Sequence, residues 1–432
     1  MPRRNILLLT AAVVVSVICY FKADSAHRSR YGRMFDTFVD ILETVEARYI
    51  EPVEDRTLFE SALRGMVAGL GDPNSAYYDP GEAQRSRAQL DQQFAGIGIE
   101  LIVDPKSRLL TVVTPLINSP AAAAGVMPGD SIVEIDGEAI EQVSLDQVAQ
   151  KLRGKPGTRV HLKLLRESSG QPIDVTIERA LIKTETVVGY QRSPDGKWNY
   201  ALPQAPDVVY ARVTLFGKNT GDELKAFLAA VLPTNPQGIV LDLRNNGGGL
   251  LQAADDAVNL FIHDGVIVST RGRDHQELDV RMADGTGPVT RLPLAILING
   301  LSASASEIVA ACLQDHQRAT IVGTRSFGKG TVQDLILLED GHSELRLTIA
   351  TYWRPSGKNI HRTRGAKAND DWGVLPSPGF DVPIEEPTWS ELLRDRQRRE
   401  AIVVAGRQPA AQTSQAADTQ LAAAIDALRR AK

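Results

Sequence analysis

Cysteine is scarce in this chain of 432 residues, where only Cys19 and Cys312 occur. Two cysteines so far apart do not make a disulfide scaffold, so the packing of apolar side chains has to hold the fold together. Hydrophobic residues make up 43% of the sequence and charged residues 23%, which is enough for two or three packed domains.

Concentrated charge and the usual metal-binding or phosphate-binding patterns are also missing. The formal net charge is −5, and lysine and arginine are dispersed along the chain. This excludes a basic face for nucleic acid. No group of Cys, His and Asp has the spacing of metal ligands, and no glycine loop is of the phosphate-binding kind. The sequence therefore predicts no metal ion, no cofactor and no nucleic-acid partner.

A histidine-based catalytic triad has no recognisable signature either. The seven histidines stand at positions 27, 161, 263, 275, 316, 342 and 361, none of them in a triad context, and there is no G-x-S-x-G turn. Because triad partners meet in space rather than in sequence, a histidine base stays an open alternative.

The N-terminus does carry a signal. Arg3 and Arg4 precede an apolar run from Ile6 to Phe21, a pattern typical of an export signal or a short signal anchor. Small residues just after the run offer a cleavage site, but the charged neighbours favour an uncleaved anchor. We therefore expect residues 1–30 to form a single N-terminal transmembrane anchor, with a cleaved signal as the alternative. Either way, the rest of the chain would lie on the extracytoplasmic, periplasmic side.

Residues 31–93 form a helical segment. Apolar residues at steps of three and four predict two amphipathic helices that pack on each other. The stripes comprise Phe35, Phe38, Leu42, Val45 and Tyr49 in the first helix and Leu63, Met66, Val67 and Leu70 in the second.

The sequence pattern of residues 94–181 predicts a small unit rich in β-strands, with two helices. Its opening, FAGIGIEL, contains the loop Gly96, Ile97, Gly98 and Ile99. The glycines leave successive backbone amides uncovered, and such a concavity binds a carboxylate. This loop, followed by SPAAAAGVMPGDSIVEIDG, resembles that of a PDZ domain, which adds a peptide C-terminus to the edge of a sheet.

Residues 182–386 alternate strands and helices. The apolar stretches GIVLDLRNNGGG and LPLAILING each end in a turn before a helical pattern. Repeated units of this kind predict an α/β core whose functional site lies at the carboxyl ends of the strands.

The stretch SASASE at 302–307 has two interpretations. Ser304 and Glu307 match the S-x-x-E pattern of a helix cap, which would make Ser304 structural. The same position suits a nucleophile, because a hydroxyl at a helix N-terminus is exposed and the adjacent amides and dipole favour an oxyanion. The stretch alone does not decide between them.

A base for Ser304 is available in FGKGTVQ at 327–333. A lysine desolvated by apolar neighbours is neutral near pH 7 and accepts a proton, which would suit Lys329. In an extended strand Lys329 and Gln333 share a face, so Gln333 would orient the amine. A solvated surface lysine is the competing interpretation.

Together with TYWRPSGKNIH at 351–361, these motifs resemble the carboxy-terminal processing proteases, also called tail-specific proteases. The resemblance implies an α/β (α+β multidomain) chain, with a crotonase-like α/β protease core, an inserted PDZ-like domain and an N-terminal helical segment. It also implies roles for individual residues: Ser304 as nucleophile, Lys329 as general base, Gln333 as its support, and the amides of Ala305 and of Gly247 or Gly248 as oxyanion hole.

The function implied by this resemblance is that of an exported serine endopeptidase. It would bind exposed C-terminal tails of proteins through the PDZ-like unit and cleave near them with a Ser/Lys dyad. A non-catalytic PDZ-type binding or scaffold protein at the membrane is the alternative, and the intact Ser304, Lys329 and Gln333 favour the enzyme. Whether copies of the chain associate stays open.

The last segment, residues 387–432, is predicted to be a polar tail rich in Ala and Gln. Its apolar stripe of Leu421, Ile425 and Leu428 is thin, which indicates a marginal or partner-dependent helix. The family resemblance does not extend to this tail.

Overall fold

The computed structural model describes residues 15–16, 31–32, 34–104, 108–116, 118–140, 144–166, 170–193, 196–400 and 416–431. Within these ranges no helix is both long enough and apolar enough to cross a membrane. The predicted anchor at residues 1–30 lies, apart from two residues, outside the described ranges, so it stays a prediction.

The N-terminal segment contains three helices and one strand. They are α1 at residues 34–48, α2 (Asp55–Ala68), β1 (Ala76–Tyr78) and α3 (Pro80–Leu90). The apolar stripes of the first two helices, which were predicted to pack on each other, stay largely exposed. No residue of α2 is buried, and the side chains of Phe35 and Met66 are 64% and 67% exposed. Both stripes therefore contribute little to the core of this chain.

The PDZ-like unit is an antiparallel sheet with two helices. Its elements are β2 (Gln93–Gly96), β3 (Ile99–Val103), β4 (Leu110–Pro115), α4 (Pro120–Ala123), β5 (Asp130–Ile135), β6 (Glu138–Ala139), α5 (Leu145–Leu152), β7 (Arg159–Arg166), β8 (Pro172–Glu178) and β9 (Ala180–Lys183). The strand order is β3-β4-β5-β7-β8, with β6 on β5. β2 pairs with β9, so the entry and exit strands lie side by side, as expected for an inserted domain.

In the described residues, the α/β core contains two large sheets and a third sheet of only two strands, Gln191–Arg192 and Trp198–Asn199. Its elements are β10 (Val187–Val188), β11 (Gln191–Arg192), β12 (Trp198–Asn199), β13 (Ala201–Leu202), β14 (Ala205–Val213), α6 (Thr220–Val231), β15 (Gly238–Asp242), α7 (Leu251–Asn259), β16 (Val266–Arg271), β17 (Glu277–Met282), β18 (Leu294–Ile298), α8 (Ala305–Asp315), β19 (Thr320–Gly323), β20 (Thr331–Leu338) and β21 (Ser343–Trp353). In the central sheet, of order β10-β14-β15-β18-β19, the last four strands are parallel. The second sheet has the order β1-β21-β16-β17, with β20 on β21, so β1 attaches the N-terminal segment to the core.

The C-terminal segment is part of this core, which corrects the prediction of a polar tail. It forms α9 (Glu386–Glu400) and α10 (Thr419–Arg430). Leu421, Ile425 and Leu428 of α10 are buried against one face of the central sheet, while α6, α7 and α8 cover the other face. Each such side chain stabilises the fold by about 1.5–3 kcal/mol. The partner that the thin stripe of α10 needs is therefore the sheet of its own chain.

Candidate active site

The carboxyl ends of β15 and β18 bring the glycine loop and the serine stretch together. These strands are parallel neighbours, with Asp242 opposite Leu297. Each is followed by one of the two motifs, so LRNNGGG and NGLSASAS meet at the same edge of the sheet. Gly248 is packed so tightly here that a Cβ on it would lie 2.7 Å from Ser304 Cβ and 3.0 Å from the Ala305 amide nitrogen.

The three serines differ sharply in their surroundings. Ser302 and Ser306 are fully buried, and their hydroxyls donate to the carbonyl oxygens of Leu243 at 2.8 Å and Asn246 at 2.9 Å. Ser304 is partly exposed. Ser304 and Glu307 have the arrangement of a capping box, but only its Glu307 half forms a hydrogen bond, and the Glu307 amide donates to the Ser304 carbonyl oxygen rather than to its hydroxyl. The two outer serines therefore fix the glycine loop, whereas the Ser304 hydroxyl is available to react.

Ser304 also has an unusual backbone conformation. Its φ of 56° and ψ of −116° lie outside the regions that side chains other than glycine readily adopt. Strain of this kind persists only where the surrounding structure enforces it, and it is concentrated at functional sites. The strained turn places Ser304 directly before the first residue of α8.

Two backbone amides next to Ser304 are free to bind an oxyanion. The Ala305 amide is the first of α8 and has no acceptor among the described residues, and the same holds for the amide of the exposed Gly247. The Gly248 amide is already used, because it donates to Asn246 Oδ1 at 2.9 Å. Of the two glycines predicted for an oxyanion hole, Gly247 is therefore the better candidate.

Glu307 joins the serine stretch to the lysine loop. This fully buried carboxylate accepts hydrogen bonds from the Ser326 hydroxyl at 2.6 Å and from the Gly328 amide at 2.7 Å. Its Oε2 accepts from the amides of both Ser304, at 2.9 Å, and Lys329, at 2.8 Å. Sharing one acceptor keeps these two nitrogens within about 6 Å of each other. The sequence predicted only a capping residue here.

The Lys329 side chain lies in an environment that disfavours its charge. Burial lowers the pKa of Lys329, and the nearby Arg346 lowers it further, while Asp72 and Glu307 oppose the change. Asp72 belongs to the GDPNS turn of the N-terminal segment, where Ser75 binds it at 2.6 Å and accepts from the Thr348 amide at 3.0 Å. The N-terminal segment thus forms part of the site.

Gln333 forms no hydrogen bond with Lys329 among the described residues. Its amide donates to the hydroxyls of Thr331 at 2.7 Å and Thr348 at 3.2 Å. β20 begins only at Thr331, so Lys329 lies in the loop before the strand, where the same-face rule on which the prediction depended does not hold. Among the described residues, Lys329 Nζ forms no hydrogen bond with Gln333 or Ser304. A supporting role of Gln333 stays a prediction.

Histidine remains the competing type of base. No described histidine forms a hydrogen bond with Ser304, but His361 packs directly against Gly330 beside Lys329. Its buried Nδ1 has no hydrogen-bond partner, and burial lowers the pKa of its imidazole. Only an experiment on both Lys329 and His361 decides which of them is the base.

The described part of the chain contains no group of His, Cys, Asp or Glu able to hold a metal ion.

At the predicted carboxylate loop, Gly96, Ile97 and Gly98 are buried, and the binding of a terminal carboxylate there stays a prediction. In the described residues the amides of Ile97 and Gly98 have no acceptor, while the carbonyl oxygens of the same two residues accept from Ala121 and Leu116 at 3.0 and 2.9 Å. Gly98 has a φ of 75°, and a Cβ there would overlap Ser119. Any side chain at Gly98 would therefore distort the loop as well as fill it.

Comparison with known proteins identifies the class. The peptidase family S41 matches residues 207–371, a PDZ domain matches residues 111–166, and the N-terminal domain of the activating protease CtpB matches residues 20–81. These matches, with the partly exposed Ser304, define a serine protease that carries a PDZ domain.

Full-length relatives define the family more closely. A carboxy-terminal-processing protease of Bartonella bacilliformis is 37% identical over 89% of this chain and 83% of its own length. The carboxy-terminal processing protease CtpA of Bacillus subtilis is 31% identical over 88% and 77%. A solved photosystem II D1 C-terminal processing protease is similar at 29% identity, with 80% and 86% covered and a TM-score of 0.43. The chain belongs to the carboxy-terminal processing proteases, which confirms the predicted family.

Proposed function

We propose that this chain is an exported endopeptidase that cleaves proteins near their C-termini with a Ser304–Lys329 dyad. The observation that carries the proposal is the shared anchor on Glu307. It holds Ser304, whose hydroxyl is available, and the desolvated Lys329 in neighbouring backbone positions. A lowered pKa increases the fraction of lysine that is neutral and can act as a general base.

The proposed reaction is acyl transfer through Ser304. Neutral Lys329 Nζ takes the proton of the Ser304 hydroxyl while Oγ attacks the scissile carbonyl carbon. The amides of Ala305 and Gly247 would stabilise the negative charge on the carbonyl oxygen. The lysine ammonium then returns its proton to the departing amine, and water hydrolyses the acyl-enzyme by the same route. Hydrogen bonds of this kind are often long before substrate binds, which fits the open arrangement of Lys329.

Substrate selection would depend on the PDZ domain. The free amides of Ile97 and Gly98 are suited to a terminal carboxylate, so a free C-terminus should bind better than a blocked one. The basic residues and apolar run at residues 1–30 support delivery to the periplasmic side of a membrane, with the chain anchored or cleaved there.

The test is cleavage of an unfolded protein that ends in apolar residues. The purified chain should cleave it, cleavage should fall when the C-terminus is amidated, and Ser304→Ala should abolish it. Binding without cleavage by the wild type would favour the non-catalytic alternative. Recovery of the full-length chain in the cytosol after cell fractionation would contradict export.

A further inference from the structure

Arg244 is a buried cation at the base of the glycine loop. It follows β15, is 4% exposed at its side chain, and precedes Asn245 and Asn246. On this side of the loop, Asp242 accepts from Arg244 Nε at 3.0 Å and from Nη2 at 2.7 Å, and it also accepts from the Tyr210 hydroxyl at 2.8 Å. Asp242 alone leaves most of the guanidinium donors unpaired.

The start of α10 supplies the remaining acceptors. Asp418 binds Arg244 with two oxygens, accepting from Nη1 at 3.0 Å and from Nη2 at 2.9 Å. Gln420 accepts from Nη1 at 3.1 Å and donates to the Val382 carbonyl oxygen at 2.7 Å. All five N–H donors of Arg244 are thereby satisfied, and three of them depend on the C-terminal helix.

From Arg244 the loop leads directly to the oxyanion amides. The Asn245 amide donates to Asn299 Oδ1 at 2.9 Å. Asn246 accepts from the Gly248 amide through Oδ1 and from the Ser306 hydroxyl through its carbonyl oxygen, both at 2.9 Å. These bonds hold the residues on both sides of Gly247, so we infer that a displacement of Arg244 reaches Gly247 three residues later.

We propose that Asp418 is a positioning residue for the oxyanion hole, acting through Arg244. The proposal rests on the proposed function, because it assigns Gly247 to that hole. Without Asp418, a buried guanidinium would lose two acceptors and half of its countercharge, and it would have to turn toward other partners. The Gly247 amide would then leave the position where the carbonyl oxygen becomes negative, which lowers the rate of reaction rather than the binding of substrate.

Asp418 has a second, purely structural task that the experiment must separate. Its Oδ1 accepts from the Leu421 amide at 2.9 Å and so caps α10. Asp418→Ser keeps a side chain that caps helices well but removes the two bonds to Arg244. Asp426, exposed on the same helix, provides the matched control Asp426→Asn.

The experiment measures kcat and KM on a long substrate, hydrogen exchange of residues 244–250, and exchange of residues 419–430. For Asp418→Ser we expect kcat to fall about tenfold with KM nearly unchanged. Exchange should accelerate in residues 244–250 but not in residues 419–430, and Asp426→Asn should match the wild type in all three. Combining Asp418→Ser with Arg244→Lys should cost less than the product of the two single losses, because both act through one pair.

The contradicting results are equally specific. If kcat and exchange of residues 244–250 stay at wild-type values, or if α10 loosens to the same extent as the loop, Asp418 does not act as a positioning residue. If the wild type cleaves nothing, the proposed function fails, and exchange alone decides: acceleration confined to residues 244–250 supports the coupling of Asp418 to the loop, and no acceleration overturns it.

Discussion

The two halves of the active site are held in different ways. On the nucleophile side, the buried hydroxyls of Ser302 and Ser306 donate to the carbonyl oxygens of Leu243 and Asn246, which fixes the glycine loop against the start of α8. On the base side, the Lys329 backbone is bonded to Glu307, but its amine has no hydrogen bond in the described structure. In the proposed mechanism, the half that would stabilise an oxyanion is thus formed in advance, whereas the half that would transfer protons would be completed only when the amine binds its partner.

The largest expected effect breaks the nucleophile side at its reacting atom. Ser304→Ala should lower kcat/KM at least a thousandfold, since covalent catalysis is lost, while the free energy of unfolding changes by less than about 1 kcal/mol. Ser306→Ala removes a buried hydrogen bond to Asn246, so it should cost about 1–2 kcal/mol of stability but keep most activity. Denaturant unfolding and peptide hydrolysis check both. A Ser304→Ala enzyme that still turns over would rule out the nucleophile.

Next in size is the link between the two sides. In Glu307→Gln, an NH2 group replaces one of the two carboxylate oxygens and cannot accept the two hydrogen bonds that this oxygen accepts in the wild type. Two of the four hydrogen bonds are therefore lost. We expect a loss of about 2–4 kcal/mol in unfolding free energy and about a hundredfold in kcat. The exposed Glu277→Gln should change neither. Full activity of Glu307→Gln would show that the shared anchor is dispensable.

Burial raises the pKa of Glu307 to about 7, even though four hydrogen bonds lower it. Asp255, a buried carboxylate with fewer hydrogen bonds than Glu307, provides a comparison outside the proposed active site. Asp255 in α7 has an Oδ1 without any partner and an Oδ2 3.4 Å from Arg281, and burial raises its pKa from 3.8 to about 6.

The smallest expected effect therefore concerns Asp255. Because the pKa of Asp255 is raised in the folded state, its protonated carboxyl contributes fully to the free energy of unfolding below pH 3.8. This contribution is lost as the pH rises through about 6. Asp255→Asn should thus have a free energy of unfolding about 1–2 kcal/mol higher than the wild type at pH 8, and no such difference is expected near pH 3.5. Its activity should equal that of the wild type. Unfolding at both pH values checks this. A less stable variant at pH 8 would mean that the bond to Arg281 outweighs burial.

The sequence predicted the parts of the fold that local patterns encode. The strand and turn pattern of the PDZ domain and the α/β units follow from apolar runs and glycines, whereas the meeting of GGG with SASAS was implied only by the family resemblance. The packing of α10 was missed, although β15 is apolar up to its last residue, Asp242, and β18 is apolar throughout, and a parallel sheet of this kind needs cover on both faces. That continuous apolarity was the signal that the C-terminal stripe had a partner.

Within the site, candidate residues could be named from the sequence, but their contacts could not. Ser304 and Lys329 stand in distinctive motifs, whereas the contacts of Glu307 depend on a loop that lies more than twenty positions away. The orientation of Gln333 relative to Lys329 depends on where β20 begins, which the local pattern does not show. Long-range hydrogen bonds of buried polar groups are set by the tertiary fold, so local spacing does not show them.

The central claim is that Lys329, rather than a histidine, takes the proton of Ser304. The direct measurement is the pH dependence of Ser304 acylation by a small activated ester in the wild type, Lys329→Ala and His361→Ala. Because the pKa of Lys329 is lowered, the wild-type rate should rise with pH with a midpoint below 10.5. Lys329→Ala should lose both the rise and at least about a hundredfold in rate, and His361→Ala should keep the profile. An unchanged profile in Lys329→Ala, or its loss only in His361→Ala, would contradict the account.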